Sequence, residues 1–183
     1  MKYLIKTERL GIRNWVKDDI PKMAAISGNP IVMRYFPGIA TYEQTEQYII
    51  KSIQDFESRG YCYFAVERID NGEFIGFIGL AYQDYEAPFC PNVDIGWRLD
   101  PSAQGMGFAT EGAQACLKYG FQEIGLKEIY AVCPTVNHPS ENVMKKIGMT
   151  KQGIFKHPRL KDWPEIEDCY YYRITDHEFL ETM

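Results

Sequence analysis

The stretch that decides the fold is DPSAQGMGFATEG, residues 100–112, whose three glycines fall within eight residues. An apolar run with helical spacing follows it. A loop that enters a helix through glycines exposes successive backbone N–H groups, and the helix N-terminus adds partial positive charge. Because Gly105 and Gly107 carry no side chain, the backbone can approach a ligand closely. The stretch therefore predicts a phosphate or pyrophosphate site at the start of a helix.

The segments around this loop predict a strand, a helix and a second strand. Residues 92–99, NVDIGWRL, precede the loop and alternate as a strand does, and residues 128–132, EIYAV, are rich in β-forming side chains. Between them, apolar residues recur at helical spacing: Ala109, Ala113, Cys116, Leu117, Phe121 and Ile124. Residues 92–132 therefore predict one βαβ crossover.

The rest of the chain predicts hairpins and further helices. Thr41 and Gln44 form a capping-box pattern, and Gly60 ends the helix that follows. Asn71 and Gly72, between two β-rich runs, are typical of a hairpin turn. The remaining predicted elements are a strand at 9–15, short helices within 18–28 and 140–147, and strands near 150–157 and 167–175. The sum is an α+β fold.

Composition and charge narrow the class of protein. The 183 residues suit a single domain, 1–183, and 45% of them are apolar. A net charge of −5 does not favour nucleic acid, and no segment is long and apolar enough for a membrane span or signal peptide. Five scattered cysteines without a CxxC pair fit reduced thiols in a cytoplasmic protein, with no metal site.

Two known phosphate motifs resemble the glycine loop in part. A P-loop ends in Gly-Lys-Ser/Thr, and this chain contains no such tripeptide. A dinucleotide fingerprint requires glycine or alanine where Thr110 stands, although Glu128 lies about where a ribose-binding acid is expected. A single βαβ unit also argues against a doubly wound domain. A nucleotide-binding oxidoreductase is therefore the weaker interpretation.

The segment Gln104-Gly105-Met106-Gly107-Phe108-Ala109 resembles the Q/R-x-x-G-x-G/A signature of the GCN5-related N-acetyltransferase (GNAT) family. The flanking VDIGWRLDP looks like the fourth strand of that family, and VNHPSENVMKKIGM looks like its segment after the fifth strand. TERLGIRNW and NPIVMRYF are similar to the subgroup that acetylates ribosomal-protein N-termini (RimJ/RimL type). The resemblance spans nearly the whole chain.

The resemblance implies a fold and a cofactor. The fold is a mixed, largely antiparallel sheet of about seven strands, splayed between strands four and five and flanked by about four helices. Acetyl-CoA is the implied co-substrate, with its arm on the strand-four backbone near Trp97, Arg98 and Leu99. Its pyrophosphate is implied to lie on the N–H groups of Gln104, Gly105, Met106, Gly107, Phe108, Ala109 and Thr110. Asn137, Ser140 and Asn142 match or neighbour positions that contact the cofactor's arm and sulfur.

The implied chemistry is direct attack of an amine on a thioester, which requires a base for the amine and an acid for the leaving thiolate. Many family members carry a tyrosine acid four residues past Ser140, where this chain has Met144. In the ribosomal-protein subgroup the serine is assigned this role, so Ser140 is the predicted acid. Asp94 lies close to the position at which several family members carry a catalytic carboxylate, so Asp94 is the predicted base.

Each catalytic prediction has an alternative. Ser140 follows Pro139 and is also a plausible helix N-cap. Strand alternation places Asp94 on the same face as Arg98, which allows a surface ion pair between them. The base can also come from the last segment, through Glu165, Glu167 or Asp168.

The acceptor has no motif of its own. A protein N-terminus and a small-molecule amine both remain open, as does a non-catalytic acyl-CoA-binding regulator of the same fold. Residues 82–92 combine acidic and aromatic side chains, which suits a cationic amine or simply a solvated loop. The predicted assembly is a monomer or a homodimer.

Overall fold

The protein is described by a computed structural model that covers residues 3–181. Its eight strands form one sheet in the order β1-β2-β3-β4-β5-β6-β8-β7. The strands are β1 Ile5–Lys6, β2 Leu10–Arg13, β3 Tyr63–Arg68, β4 Phe74–Gln83, β5 Asn92–Leu99, β6 Glu128–Pro134, β7 Thr150–Lys156 and β8 Asp168–Thr175. The two-residue β1 was not predicted, because so short a strand leaves no alternation in the sequence.

The pair β5–β6 is the parallel pair of the sheet, and the other neighbouring strands are antiparallel. Only Asp94 and Tyr130 are in register between β5 and β6, whereas β4 and β5 pair over eight positions. The two central strands therefore diverge beyond Asp94, as the predicted splay requires. The predicted strand four is β5, and the predicted strand five is β6.

The α-helices are α1 Ile20–Ser27, α2 Pro30–Met33, α3 Tyr42–Arg59, α4 Phe108–Tyr119, α5 His138–Lys146, α6 Pro164–Glu167 and α7 Asp176–Glu181. A π-helical turn, Gly120–Ile124, extends α4. The helices beyond the predicted four are α2, α6 and α7, each six residues or shorter. Pieces this short carry too few apolar repeats to be predicted from periodicity.

The two strongest local predictions are confirmed. At the start of α3, the Gln44 N–H donates to Thr41 Oγ1 (3.2 Å) and the Thr41 N–H donates to Gln44 Oε1 (2.9 Å). Gly60 ends the helix with φ +80°. Gly72 has φ +72° in the turn between β3 and β4, which glycine adopts without strain.

The core places α4 close to the sheet. A Cβ added to Gly112 would lie 2.4 Å from Ile78 Cδ1, so a side chain here would require Ile78 to move. Ile95 and Leu99 of β5 are buried in the same core. Asp94, Gly96 and Arg98 alternate to the other face of β5. Within residues 3–181, no helix is long and apolar enough to cross a membrane.

Candidate active site

The glycine loop has the conformation that an anion site requires. Gly105 and Gly107 adopt φ +75° and +83°, and Gly107 is the N-cap of α4 without a side-chain capping bond. The N–H groups of the first turn of α4 therefore have no side-chain cap, which suits a phosphate. A Cβ added at Gly107 would meet Arg9 Nη2 at 3.4 Å, and one at Gly105 would meet no atom within 4 Å. The need for glycine at both positions therefore comes from their positive φ angles and not from steric blocking alone.

A brace from the first hairpin holds this loop in place. Arg9 Nη1 donates to the Met106 carbonyl (3.0 Å), and Arg9 Nε donates to Glu111 Oε2 (2.6 Å). Thr7 Oγ1 donates to Glu111 Oε1 at 2.5 Å. Burial alone would raise the pKa of Glu111, but the bonds from Thr7 and Arg9 lower it. Sequence reasoning missed this brace because its partners lie about a hundred residues apart.

A cavity of about 290 Å³, called cavity 1 below, lies against the loop. Every predicted cofactor residue lines it except Met106, whose side chain is 45% exposed. No carboxylate of the described residues lines cavity 1, whereas Arg34, Arg98 and Lys146 do. Arg34 and Lys146 lie within the segments NPIVMRYF and VNHPSENVMKKIGM but were not predicted as cofactor residues. Backbone donors with the cations Arg34 and Lys146, and no acid among the lining residues, fit a polyanionic ligand such as a coenzyme A phosphate chain.

The backbone of β5 has a definite direction at the splay. The Asp100 N–H donates to the Ile75 carbonyl (2.9 Å). In an antiparallel pair, every second residue of a strand forms hydrogen bonds with the partner strand, so Arg98, two positions before Asp100, also bonds with β4. The backbone of Arg98 therefore points toward β4, and that of Trp97 and Leu99 points toward the gap. The Leu99 carbonyl already accepts from Gln104 Nε2 (3.0 Å). Arg98 lines cavity 1 as well, although its backbone groups are directed toward β4.

A second cavity of about 400 Å³, called cavity 2 below, continues from the first. Its walls come from α3 and α5, from β3, β4, β5, β6 and β8, and from residues that follow α2, β4 and β7. The two cavities share Tyr35, Phe36, Trp97, Arg98, Asn137 and Ser140. The two spaces therefore meet where β5 and β6 diverge.

Asp94 lies in cavity 2 and is, among residues 3–181, the only carboxylate that lines it. The Tyr63 hydroxyl donates to Asp94 Oδ1 at 2.6 Å. Gly96 permits this contact, because a Cβ there would lie 3.0 Å from the Tyr63 ring. Burial raises the pKa of Asp94 to about 6, against the lowering effect of hydrogen bonds from Tyr63 and Gln83. A carboxylate with this pKa is suited to general base catalysis near neutral pH.

The alternatives to Asp94 as the base find little support. Arg98 donates to Ser27 Oγ (3.2 Å) and forms no ion pair with Asp94, so the predicted surface pair is wrong. Glu167 and Asp168 both pair with Lys156, at 2.5 and 3.7 Å. Glu165 is exposed. None of these three acids lines cavity 1 or cavity 2.

Ser140 lies at the junction of the cavities, and it is not the N-cap of α5. That position belongs to Asn137, whose Oδ1 accepts from the Ser140 N–H at 3.2 Å. The helix begins two residues earlier than predicted, with Pro139 inside its first turn. The Ser140 hydroxyl is therefore not used in capping. Met144, one turn further, is buried and lines cavity 2.

Residues 82–92 separate their acidic and aromatic side chains. Asp84 and Glu86 are exposed, while Phe89 stacks on Tyr171 at 4.4 Å between ring centroids. The two acids therefore face solvent. Of Asp84, Tyr85, Glu86 and Phe89, only Tyr85 lines cavity 2. His157 packs 4.5 Å from the Tyr85 ring and also lines this cavity. Burial lowers the pKa of His157.

Cys133 is buried and lines cavity 2. Burial raises the pKa of its thiol to about 12, which leaves it protonated at neutral pH. Within residues 3–181, no three His, Cys, Asp or Glu side chains are grouped as a metal site requires.

Comparison with known proteins identifies the family. Residues 9–150 match the model of the acetyltransferase (GNAT) domain. The chain belongs to this family and is an N-acetyltransferase, a class that takes its acetyl group from acetyl-CoA. This excludes the dinucleotide-binding interpretation, as does the single parallel strand pair.

Relatives and solved structures agree with this membership. The chain is 36% identical over 178 residues to the uncharacterized N-acetyltransferase YnaD of Bacillus subtilis, which covers 96% of this chain and 98% of that protein. It is similar to a GNAT-family acetyltransferase from Bacillus anthracis, with a TM-score of 0.78, 34% identity and coverage of 94% and 98%. Ribosomal-protein-S5-alanine acetyltransferase from Vibrio fischeri shares the fold, with a TM-score of 0.73, 19% identity and coverage of 95% and 97%.

Proposed function

We propose that this protein transfers the acetyl group of acetyl-CoA directly to a primary amine that enters through cavity 2. The observation that carries the proposal is the meeting of the two cavities at the splay, where they share Trp97 and Ser140. A direct transfer requires the two substrates to approach each other within one continuous space.

The cofactor is proposed to bind in cavity 1. The N–H groups from Gln104 to Thr110 would hold its pyrophosphate, with Arg34 and Lys146 adding positive charge. The backbone groups of Trp97 and Leu99 would bind its arm, because they face the gap. Asn137 and Asn142 line the same cavity.

The proposed chemistry assigns one task to each group. Acetyl-CoA supplies the acetyl group as an activated thioester. Asp94 accepts a proton from the ammonium form of the acceptor, whose pKa of about 10 keeps it protonated at neutral pH. A backbone N–H of β5 stabilises negative charge on the carbonyl oxygen as the C–N bond forms. Ser140 donates a proton to the sulfur as the C–S bond breaks and takes up the second proton that the nitrogen loses as the amide forms.

The acceptor class within this proposal is a small-molecule amine or a protein N-terminus. The RimJ/RimL-type subgroup is supported by the sequence motifs TERLGIRNW and NPIVMRYF. The Vibrio fischeri neighbour contributes likeness of fold alone at 19% identity. We further propose a single domain over residues 1–183 that acts as a monomer or homodimer.

A thiol-release assay with acetyl-CoA and a panel of primary amines tests the function. Turnover with at least one amine, together with the acetylated product by mass spectrometry, is the expected result. Calorimetry with acetyl-CoA and with NAD gives the second readout. Tight acetyl-CoA binding without turnover on any amine would favour the regulatory alternative.

A further inference from the structure

The side chain of Arg98 extends into cavity 2 from the same face of β5 as Asp94. Its Cζ lies 4.4 Å from the ring centroid of Phe36 and 5.3 Å from that of Phe77. Aromatic rings at these distances interact with the face of a guanidinium. Its N–H donors lie in the guanidinium plane, and the rings carry no oxygen or nitrogen to accept from them, so these donors need other partners.

Those donors are only partly satisfied. Nη1 donates to Ser27 Oγ at 3.2 Å, while the buried Nε has no hydrogen-bond partner among residues 3–181. No carboxylate of these residues forms an ion pair with Arg98. Burial lowers the pKa of Arg98, as expected for a cation without an anionic partner. A buried guanidinium in this state is poised to bind an anion.

A second unsatisfied group lies in the same cavity. Tyr48 of α3 packs its ring 5.6 Å from Phe77, and its buried hydroxyl has no hydrogen-bond partner in the described part of the chain. Burial raises the pKa of Tyr48, so the hydroxyl keeps its proton and can donate. Tyr48 and Arg98 both pack against Phe77, with the Tyr48 ring 5.6 Å and Arg98 Cζ 5.3 Å from the Phe77 ring centroid.

We propose that the acceptor is an amine that also carries a carboxylate, which Arg98 and the Tyr48 hydroxyl bind while the amine lies at Asp94. The inference rests on the proposed transfer reaction and names the class of its acceptor. A carboxylate matches the in-plane donors of one guanidinium together with one neutral hydroxyl.

The arrangement also discriminates against other amines. Asp94 and Arg98 are four residues apart on one strand, so their Cα atoms lie about 13 Å apart at a rise of about 3.3 Å per residue. Cavity 2 therefore offers a negative group and a positive group at separate positions. A polyamine would bring a second cation toward Arg98, and like charges in a buried site disfavour binding. A simple alkylamine would leave Arg98 without a partner.

Matched sets of acceptors test the inference. Each set keeps one amine skeleton and varies a single substituent, which is a carboxylate, a carboxamide or a hydrogen, over several spacings from the nitrogen. We expect the carboxylate to give a kcat/KM at least about tenfold above its carboxamide, because an unsatisfied buried charge is costly. Equal or higher kcat/KM for the neutral amines would overturn the proposal.

Variants assign the preference to a side chain. Arg98→Met should abolish it, Arg98→Lys should retain part of it, and Tyr48→Phe should weaken it. Arg59→Met is the matched control, since Arg59 stacks 4.2 Å from the Tyr82 ring but lines neither cavity. Arg159→Gln tests the other arginine of cavity 2, and loss of the preference in that variant alone would overturn the assignment.

Calorimetry separates this inference from the proposed reaction. With coenzyme A saturating, the carboxylate member of a set should bind to the wild type and bind at least about tenfold more weakly to Arg98→Met. That result without any acetyl transfer would support the carboxylate site while the reaction fails. Unchanged carboxylate affinity, or a loss confined to coenzyme A affinity, would assign Arg98 elsewhere.

Discussion

Cavity 1 and cavity 2 are adjacent, yet they are built in different ways. Cavity 1 depends on backbone conformation within a short stretch, through two glycines of positive φ and the uncapped start of α4. Cavity 2 depends on side chains such as Asp94, Tyr63 and His157, which come from distant parts of the chain. A site formed by the backbone of consecutive residues is visible as a sequence motif. A site formed by side chains that are distant in the sequence is not. The same difference predicts which substitutions affect which substrate.

The largest expected effect is in cavity 2. Asp94→Asn is nearly isosteric but cannot accept a proton, so turnover at pH 7 should fall about 10²–10⁴-fold. Acetyl-CoA affinity should not change. Asp162→Asn, at an exposed carboxylate, is the control. Wild-type turnover in Asp94→Asn would contradict the role of Asp94 as the base. It would also contradict the assignment of acceptor activation to cavity 2.

The junction of the cavities gives the next effect. Ser140→Ala should lower turnover about 10²-fold if the hydroxyl serves as the acid, with little change in stability. Asn137→Ala should instead destabilise the protein by about 1 kcal/mol, because it removes the cap of α5. Turnover and denaturant unfolding of both variants decide the matter. A stable, fully active Ser140→Ala protein contradicts the acid role.

Two glycines of matched conformation isolate the contribution of cavity 1. Gly105 and Gly72 have φ +75° and +72°, and a Cβ on either meets no atom within 4 Å. Valine at either position should cost a similar amount, about 1–2 kcal/mol, in the free energy of unfolding. Only Gly105→Val should weaken acetyl-CoA binding, by about 30-fold, through lost charge-assisted hydrogen bonds. Equal affinities in the two variants would argue against the phosphate loop.

The smallest expected effect is a change in pH dependence. Asp94 has a pKa of about 6, so kcat/KM should fall as the pH decreases through 6 and the base becomes protonated. Tyr63→Phe removes a hydrogen bond that favours the charged form of Asp94. The fall of kcat/KM on the acidic side should therefore shift to higher pH by roughly 0.7 unit. Tyr119→Phe loses a hydroxyl bond to the Gly60 carbonyl outside both cavities and should leave the profile unchanged. If the acidic side of the pH profile is unchanged in Tyr63→Phe, Tyr63 does not influence the pKa of the base.

The sequence predicted the elements whose signals are local. The capping box at Thr41, the turn at Gly72 and the βαβ unit around Gly107 follow from short-range chemistry. The cap of α5 was assigned to Ser140 instead of Asn137 because both residue types cap helices and they are three positions apart. His157 has no motif, since its place beside Tyr85 is set by a ring contact across the fold.

The single register pair between β5 and β6 gives the sheet an internal edge. Past Asp94, β5 is a central strand by position, yet on one side it has the unpaired backbone groups of an edge strand. An exposed edge would invite another chain, but this edge lines cavity 1 through Trp97 and Leu99. An extended ligand with amide-like donors and acceptors can pair with these backbone groups. Amide exchange should accordingly alternate along β5, faster at Trp97 and Leu99 than at Arg98.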